Sequence, residues 1–213
     1  MTPGPESAQG SLGPTAFEPV AVRPERAGDE AAVRAICAAA FETDAEARLL
    51  DALRACGAYD RGLSLVAVVP DPAQPGGEAI VGQVLLTRVD VEPASEDDRL
   101  VGPPDAGRDR PLDPAVLALG PIAVLPDRQR RGIGAALVRA ALVLAVERGA
   151  WAVVLLGHPA YYPRFGFEPA RPLGLLPSAD WPDAAWMACR LPGWSPSVAG
   201  VVGYARPFLE MGE

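Results

Sequence analysis

Apolar blocks separated by short polar breaks rich in proline and glycine run along this chain, and the period inside each block predicts its element. "LSLVAVVP" at 63–70 is apolar almost without interruption, the pattern of a strand buried on both faces. Turn-rich "PDPAQPGGE" follows, and "AIVGQVLLTRV" at 79–89 reads as the returning strand of an antiparallel pair. Upstream, "EPVAVRP" offers a short strand ending at Pro24. Asp29 is placed to cap a helix whose apolar positions Val33, Ile36, Cys37 and Ala40 follow the i, i+3, i+4, i+7 rule. Thr43 and Glu46 form a Thr-x-x-Glu capping box opening a second helix through Leu49, Leu50 and Leu53, stopped near Gly57.

"AVLALGPIAV" at 115–124 is a strand interrupted by Gly120-Pro121. Proline donates no ladder hydrogen bond, so a bulge or a sheet edge is expected there. A helix follows over 131–148, ended by Gly149, then the compact apolar strand "WAVVLL". "HPAYYPRF" predicts a helix of one or two turns, with Pro159 suiting its start and Pro163 limiting its length. "AWMACRL" is the clearest late strand and "GVVGYARPF" a further one. The order βααβββαβαββ describes one mixed α/β domain over 18–213. Residues 1–17, rich in Pro, Gly and Ser, read as a disordered tail, and 92–114 as a long polar loop inserted in the domain.

Composition removes several classes of function. The formal charge is −8, and all 19 basic residues are arginine. An acidic surface argues against a nucleic-acid partner and mildly favours a cationic small molecule, although net negative charge serves solubility equally well. Cys37, Cys56 and Cys189 are widely spaced, without a CxxC, and read as small hydrophobes rather than a disulfide framework. One histidine, His158, gives no histidine-based metal site, and none is expected. No apolar run of about 18 residues and no basic-then-apolar leader occur, so a cytoplasmic protein without a membrane partner is expected.

The densest chemistry lies in "DRQRRGIGAALVRAAL", which begins at Asp127. Strand, tight turn and helix start point free backbone amides, with the positive end of the helix dipole, at whatever lies over the helix N-terminus. An anion, above all a phosphate, suits that place. Gly132 and Gly134 remove side chains that would hold the anion away, while Arg130 and Arg131 add charge. A loose helix start is the competing reading of the glycine pair. A Walker loop is excluded because the chain has no lysine, and a dinucleotide fingerprint would need glycine where Leu137 stands.

With "LGPIAVLPDRQRRGIGAALV", "AVVLLGHPAYYPRFGFEPA" and "PDAAWMACRL" in this order, the chain resembles the GNAT superfamily of acyl-CoA-dependent N-acetyltransferases. The family signature Q/R-x-x-G-x-G/A stands here as Gln129-Arg130-Arg131-Gly132-Ile133-Gly134. The resemblance spans about residues 19 to 209 and implies the GNAT fold, a mixed sheet of about six to seven strands flanked by about four helices. It further implies that amides of 129–134 bind the pyrophosphate of acetyl-CoA. The interrupted strand would be the family's splayed fourth strand, with the main chain of Ile122, Ala123 and Val124 holding the pantetheine arm. The acceptor implied is a small-molecule or peptide amine, and a homodimer is compatible with the family.

Acetyl transfer needs a neutral amine, a stabilised oxyanion and a proton for the departing thiolate. The family often takes that proton from a tyrosine four residues before the glycine of a "GF" pair, and Tyr162 stands four before Gly166. A phenol of pKa about 10 is protonated at neutral pH. Tyr162 is therefore the candidate general acid; packing beside Tyr161 at the cleft edge is the alternative. His158 is a candidate base or water-positioning group, or else a cap of the turn it opens. Glu42, Asp44 and Glu46 lie where a cationic amine would be held, though Glu46 already has a capping explanation. Trp181 and Trp186 are candidates for the acceptor pocket wall or for packing. No general base is identifiable, and water can serve. An acyl-CoA-binding sensor or interaction module of the same fold remains the competing function.

Overall fold

The computed structural model describes residues 19–71, 73, 75–92 and 116–210. The tail expected over 1–17 lies outside them, as does the loop expected over 92–114 apart from Glu92. The chain forms an α/β structure around a seven-stranded mixed sheet. Strands β1 (Ala21–Pro24), β2 (Ser64–Pro70) and β3 (Glu78–Arg88) pair antiparallel in sequence order. β4 (Asp90–Glu92) leaves the sheet, and β5 (Val116–Val124) returns antiparallel to β3. β6 (Ala152–Leu156) runs parallel to β5, reached through a helical crossover. β7 (Glu168–Pro169) and β9 (Trp186–Arg190) complete the far side, in the order β1-β2-β3-β5-β6-β9-β7. β4 joins β8 (Leu175–Pro177) and β10 (Gly200–Gly203) in a second, three-stranded sheet. These three short strands carry too few residues to show a period, and β4 and β8 went unread in the sequence.

Strand β2 explains the layering. Its residues alternate, with Leu65, Ala67 and Val69 facing one cluster and Val66 and Val68 the other. On the first face lies α3 (Ile133–Glu147), which buries Ile133, Leu137, Val138, Ala141 and Ala145 along one stripe. On the second lie α1 (Glu30–Ala40) and α2 (Ala45–Ala55), through Val33, Ile36, Cys37, Leu49, Leu50 and Leu53. A strand covered on both sides cannot alternate polar and apolar, hence the unbroken run. A third cluster, around Trp186, joins the main sheet to the small one. The short α4 (Arg206–Leu209) closes the described chain. Among the described residues no helix is long and apolar enough to cross a membrane.

Two expected helix caps are replaced by other bonds. Asp29 does precede α1, but its carboxylate accepts from Arg23 Nη1 at 2.7 Å and from the Arg26 amide at 2.8 Å. A guanidinium is the stronger donor, so the cap position carries an ion pair instead. The Thr43–Glu46 box does not form either. Asp44 is the residue before α2, and Thr43 Oγ1 accepts only from the Ala45 amide at 3.4 Å. Oε2 of Glu46 is left without a hydrogen-bonding partner.

One buried polar group ties three elements together. Glu25, whose side chain is fully enclosed, accepts from the Tyr59 hydroxyl, from Ser64 Oγ at 2.5 Å and from Arg54 Nη2 at 3.5 Å. Burial, and then the bond to Glu25, push the Tyr59 hydroxyl up to about 12. Glu25→Ala removes the acceptor and leaves three donors facing a cavity. Urea unfolding is expected to show a loss of about 3 kcal/mol. A loss near zero would mean that water replaces the carboxylate there.

Candidate functional site

The break predicted at Gly120-Pro121 is present and lies in the middle of the sheet. Val84 opposes Ile122 and Leu86 opposes Leu119, so Gly120 and Pro121 together face the single residue Leu85. The Gly120-Pro121 peptide is cis. Gln83 supports the bulge from below, its Nε2 donating to the Pro121 carbonyl at 3.2 Å. On the other side β5 pairs with β6 only through Val116, Leu117 and Ala118. Beyond residue 118 the two strands part, and β5 becomes an internal edge. Proline is tolerated because no ladder partner waits for it there.

The register decides which main-chain groups face that gap. The Leu125 amide donates to the Val81 carbonyl at 3.0 Å, which makes Gly82 and Val124 a wide pair. Alternation then turns the main-chain groups of Ile122 and Val124 away from β3, into the gap, and those of Ala123 toward Gln83. Gln129 Nε2 donates to the Val124 carbonyl at 3.1 Å, fixing the turn into α3 against the strand.

Two cavities flank this edge and share Ile122 as a wall. The smaller, about 520 Å³, lies at the N-terminus of α3 and is bounded by Arg128, Gln129, Arg130, Gly132, Gly134 and Arg164. Three arginines and no carboxylate line it among the described residues. Gly132 has φ +86° and Arg130 φ +59°, left-handed values that curl the loop around the helix start. A Cβ on Gly134 would stand 3.2 Å from the Tyr161 hydroxyl, so the bare α-carbon keeps the cavity open. Arg131 is exposed and does not line the cavity; the side chain of Ile133 is in the core. Arg164, not picked out from the sequence, lies over the Tyr161 ring at 4.7 Å, with Nε on the Tyr161 carbonyl at 2.8 Å. Its three-residue spacing from Tyr161 was the available signal. Three guanidinium groups and the positive end of α3 make the cavity electropositive.

The larger cavity, about 840 Å³, opens on the other side of Ile122. Its floor is the bulge, and Tyr162 stands in its wall. The Tyr162 ring packs edge-on to Tyr161 and Phe167, with centroids 5.1 and 5.6 Å away. It lies directly on Gly157, where a Cβ would come within 2.3 Å of Tyr162 Cε2. The glycine after β6 thus admits the ring to the cavity. Burial, with the neighbouring Tyr161, pushes the Tyr162 phenol up to about 12. His158 lines neither cavity. It is exposed, and its Nδ1 accepts from the Ala160 amide at 3.3 Å, capping the turn. Trp181 lines the large cavity, whereas Trp186 is fully buried with its Nε1 on the Leu175 carbonyl at 2.8 Å. Glu46 also lines it; Glu42 and Asp44 are exposed, and Asp44 pairs with Arg48 at 3.1 Å. Among the described residues no group of three or more His, Cys, Asp or Glu is placed to hold a metal ion.

The mixed sheet is thus split between two parallel strands, with an arginine-lined cavity at the intervening helix and a tyrosine across the gap. The GNAT acetyltransferase domain model matches residues 78–169. The uncharacterized N-acetyltransferase YhbS of Escherichia coli K12 is 32% identical over 190 residues, 88% of this chain and 97% of that protein. The chain belongs to the GNAT N-acetyltransferase family. YhbS of Escherichia coli in complex with coenzyme A superposes with a TM-score of 0.70 at 29% identity, over 91% of this chain and 93% of that one. A GNAT acetyltransferase of Brucella melitensis in complex with acetyl-CoA gives 0.62 at 28% identity, over 90% and 99%. The uncharacterized N-acetyltransferase YjhQ of Escherichia coli K12 is 35% identical over 98 residues, and there the chain spans only 54% of its length.

Proposed function

We propose that the protein transfers the acetyl group of acetyl-CoA to a primary amine by direct attack, with Tyr162 protonating the departing thiolate. The observation that carries this reading is the meeting of the two cavities at Ile122, one an arginine-lined anion site and one holding the Tyr162 ring. The coenzyme fits the residues present. The first-turn amides of α3, Arg128, Arg130 and Arg164 would hold its pyrophosphate, and Gly132 and Gly134 leave the room. The main chain of Ile122 and Val124 would bond the amides of the pantetheine arm as an added strand.

The amine nitrogen attacks the thioester carbonyl carbon, and the carbon–sulfur bond breaks as the amide forms. The nitrogen gives up its extra proton to water, the sulfur takes the phenolic proton of Tyr162, and solvent restores that proton. A phenol held near 12 is fully protonated when the thiolate leaves; transfer to a thiolate of pKa about 8.5 is uphill, so it depends on direct contact between the two and on solvent drawing the proton balance forward. Release of free thiol from acetyl-CoA, followed over a panel of amines, tests the reading. Amine-dependent release is expected. Coenzyme A binding with no release for any amine would favour a sensor instead.

A further inference from the structure

The charges of the two cavities are segregated. The anion cavity has arginines and no acid, whereas the large one has Glu46 and Asp180 and no base among the described residues. Asp180 is exposed, while Glu46 is half-buried, and its Oε2 is out of solvent with no donor against it. An enclosed carboxylate oxygen without a donor is unfavourable. The capping box that would have satisfied it is not formed. Besides Ser178 and the bulge itself, the wall is mainly apolar and aromatic, with Phe41, Leu49, Leu156, Trp181, Tyr204 and Phe208 converging around the same space. Trp181 and Tyr204 stand edge to face, their centroids 5.4 Å apart. Leu156 is 48% exposed although it ends an interior strand, because it faces this space.

We propose that the acceptor is a small primary amine with a single ammonium group on an apolar, aromatic or alkyl body, and that Glu46 is the residue that binds the ammonium. This rests on the acetyltransferase reading of the same cleft. The ammonium supplies the donor that Glu46 Oε2 lacks as it binds, then gives one proton to water to become the neutral amine that attacks, and the aromatic walls cover the body. Additional cationic groups would lie mostly against hydrocarbon, with the exposed Asp180 the one further carboxylate among the described lining residues. Polyamines and aminoglycosides are therefore disfavoured. The carboxylate is retained at an energetic disadvantage to the free protein, as binding residues often are.

The test compares 2-phenylethylamine and hexylamine with spermidine, kanamycin and glycinamide as acceptors. The first two are expected to exceed the others in kcat/KM by about tenfold or more. Glu46→Gln is expected to raise their KM by about tenfold or more, leave the coenzyme A-induced melting shift intact, and not lower the melting temperature of the free protein. A purely structural Glu46 would instead lower that temperature. Glu46→Asp should recover part of the affinity at low ionic strength. Calorimetry of 2-phenylethylamine against protein saturated with coenzyme A reads the same site without turnover, and Glu46→Gln must weaken it. A preference for spermidine, kanamycin or glycinamide, or unchanged amine affinity in Glu46→Gln, overturns the proposal. Amine binding that depends on Glu46, without thiol release, would support this site while overturning the acetyltransferase reading.

Discussion

Gly132→Glu is expected to remove coenzyme A binding and leave a folded, soluble protein. No heavy atom lies within 4 Å of a Cβ built on Gly132, so the new side chain meets open space rather than the core. What it enters is the anion cavity, where it places a carboxylate among Arg128, Arg130 and Arg164. The left-handed φ of +86° adds strain of about 1 kcal/mol, small beside the stability of a domain. The dissociation constant should rise by about 100-fold or more. Thermal melting checks it. Ligand at about 100 times its dissociation constant stabilises the native protein by about 2.7 kcal/mol, and the variant should keep no more than about 0.4 kcal/mol of that. Gly132→Ala, with the strain and without the charge, should retain most of the shift. A full shift in Gly132→Glu would mean that the pyrophosphate lies elsewhere.

The second large effect is catalytic. Tyr162→Phe should lower kcat by about 10²- to 10⁴-fold, the range of a positioned proton donor. KM for acetyl-CoA and the melting temperature should stay near those of the native protein, because the phenyl ring keeps its contacts with Phe167 and Gly157. The pH profile carries a further sign. The phenol is raised to about 12 by burial, so the protonated form persists as pH rises and is lost only near that value. Between about pH 6 and 10, Tyr162 should therefore contribute no alkaline decline. Any rise of rate with pH there belongs to deprotonation of the amine. Native kcat in Tyr162→Phe would reduce Tyr162 to a packing residue. A fall in kcat accompanied by a fall in melting temperature would point the same way.

Much of the frame could be read in one dimension. The unbroken apolar run of β2, the stripe of α3, and the proline in β5 are local signals, each set by residues close in sequence. The proline implied a bulge or an edge, and residues 119–124 provide both. The Gly132 and Gly134 pair similarly marked an open helix start, because missing side chains and free amides are properties of a short segment. Tyr162 could be named only through the resemblance and its spacing from Gly166. Burial of its ring against Gly157 is what raises its hydroxyl above the ordinary value.

Other parts needed the fold. Thr43 and Glu46 satisfied a capping rule on paper, yet the helix starts one residue later and the carboxylate turns to the cavity. Trp181 and Trp186 were equivalent in sequence, but the pairing of β9 with β6 buries Trp186, while Trp181, before that strand, lines the wall. Arg164 arrives at the helix N-terminus from more than thirty residues downstream, carried by the crossover through β6. By itself the sequence determined the longer elements, their order and the glycine-rich turn into α3, since hydrogen-bonding capacity and periodicity are local. Only the tertiary structure decided which charges share a cavity, because that depends on which side of a strand each residue faces and on where two parallel strands part.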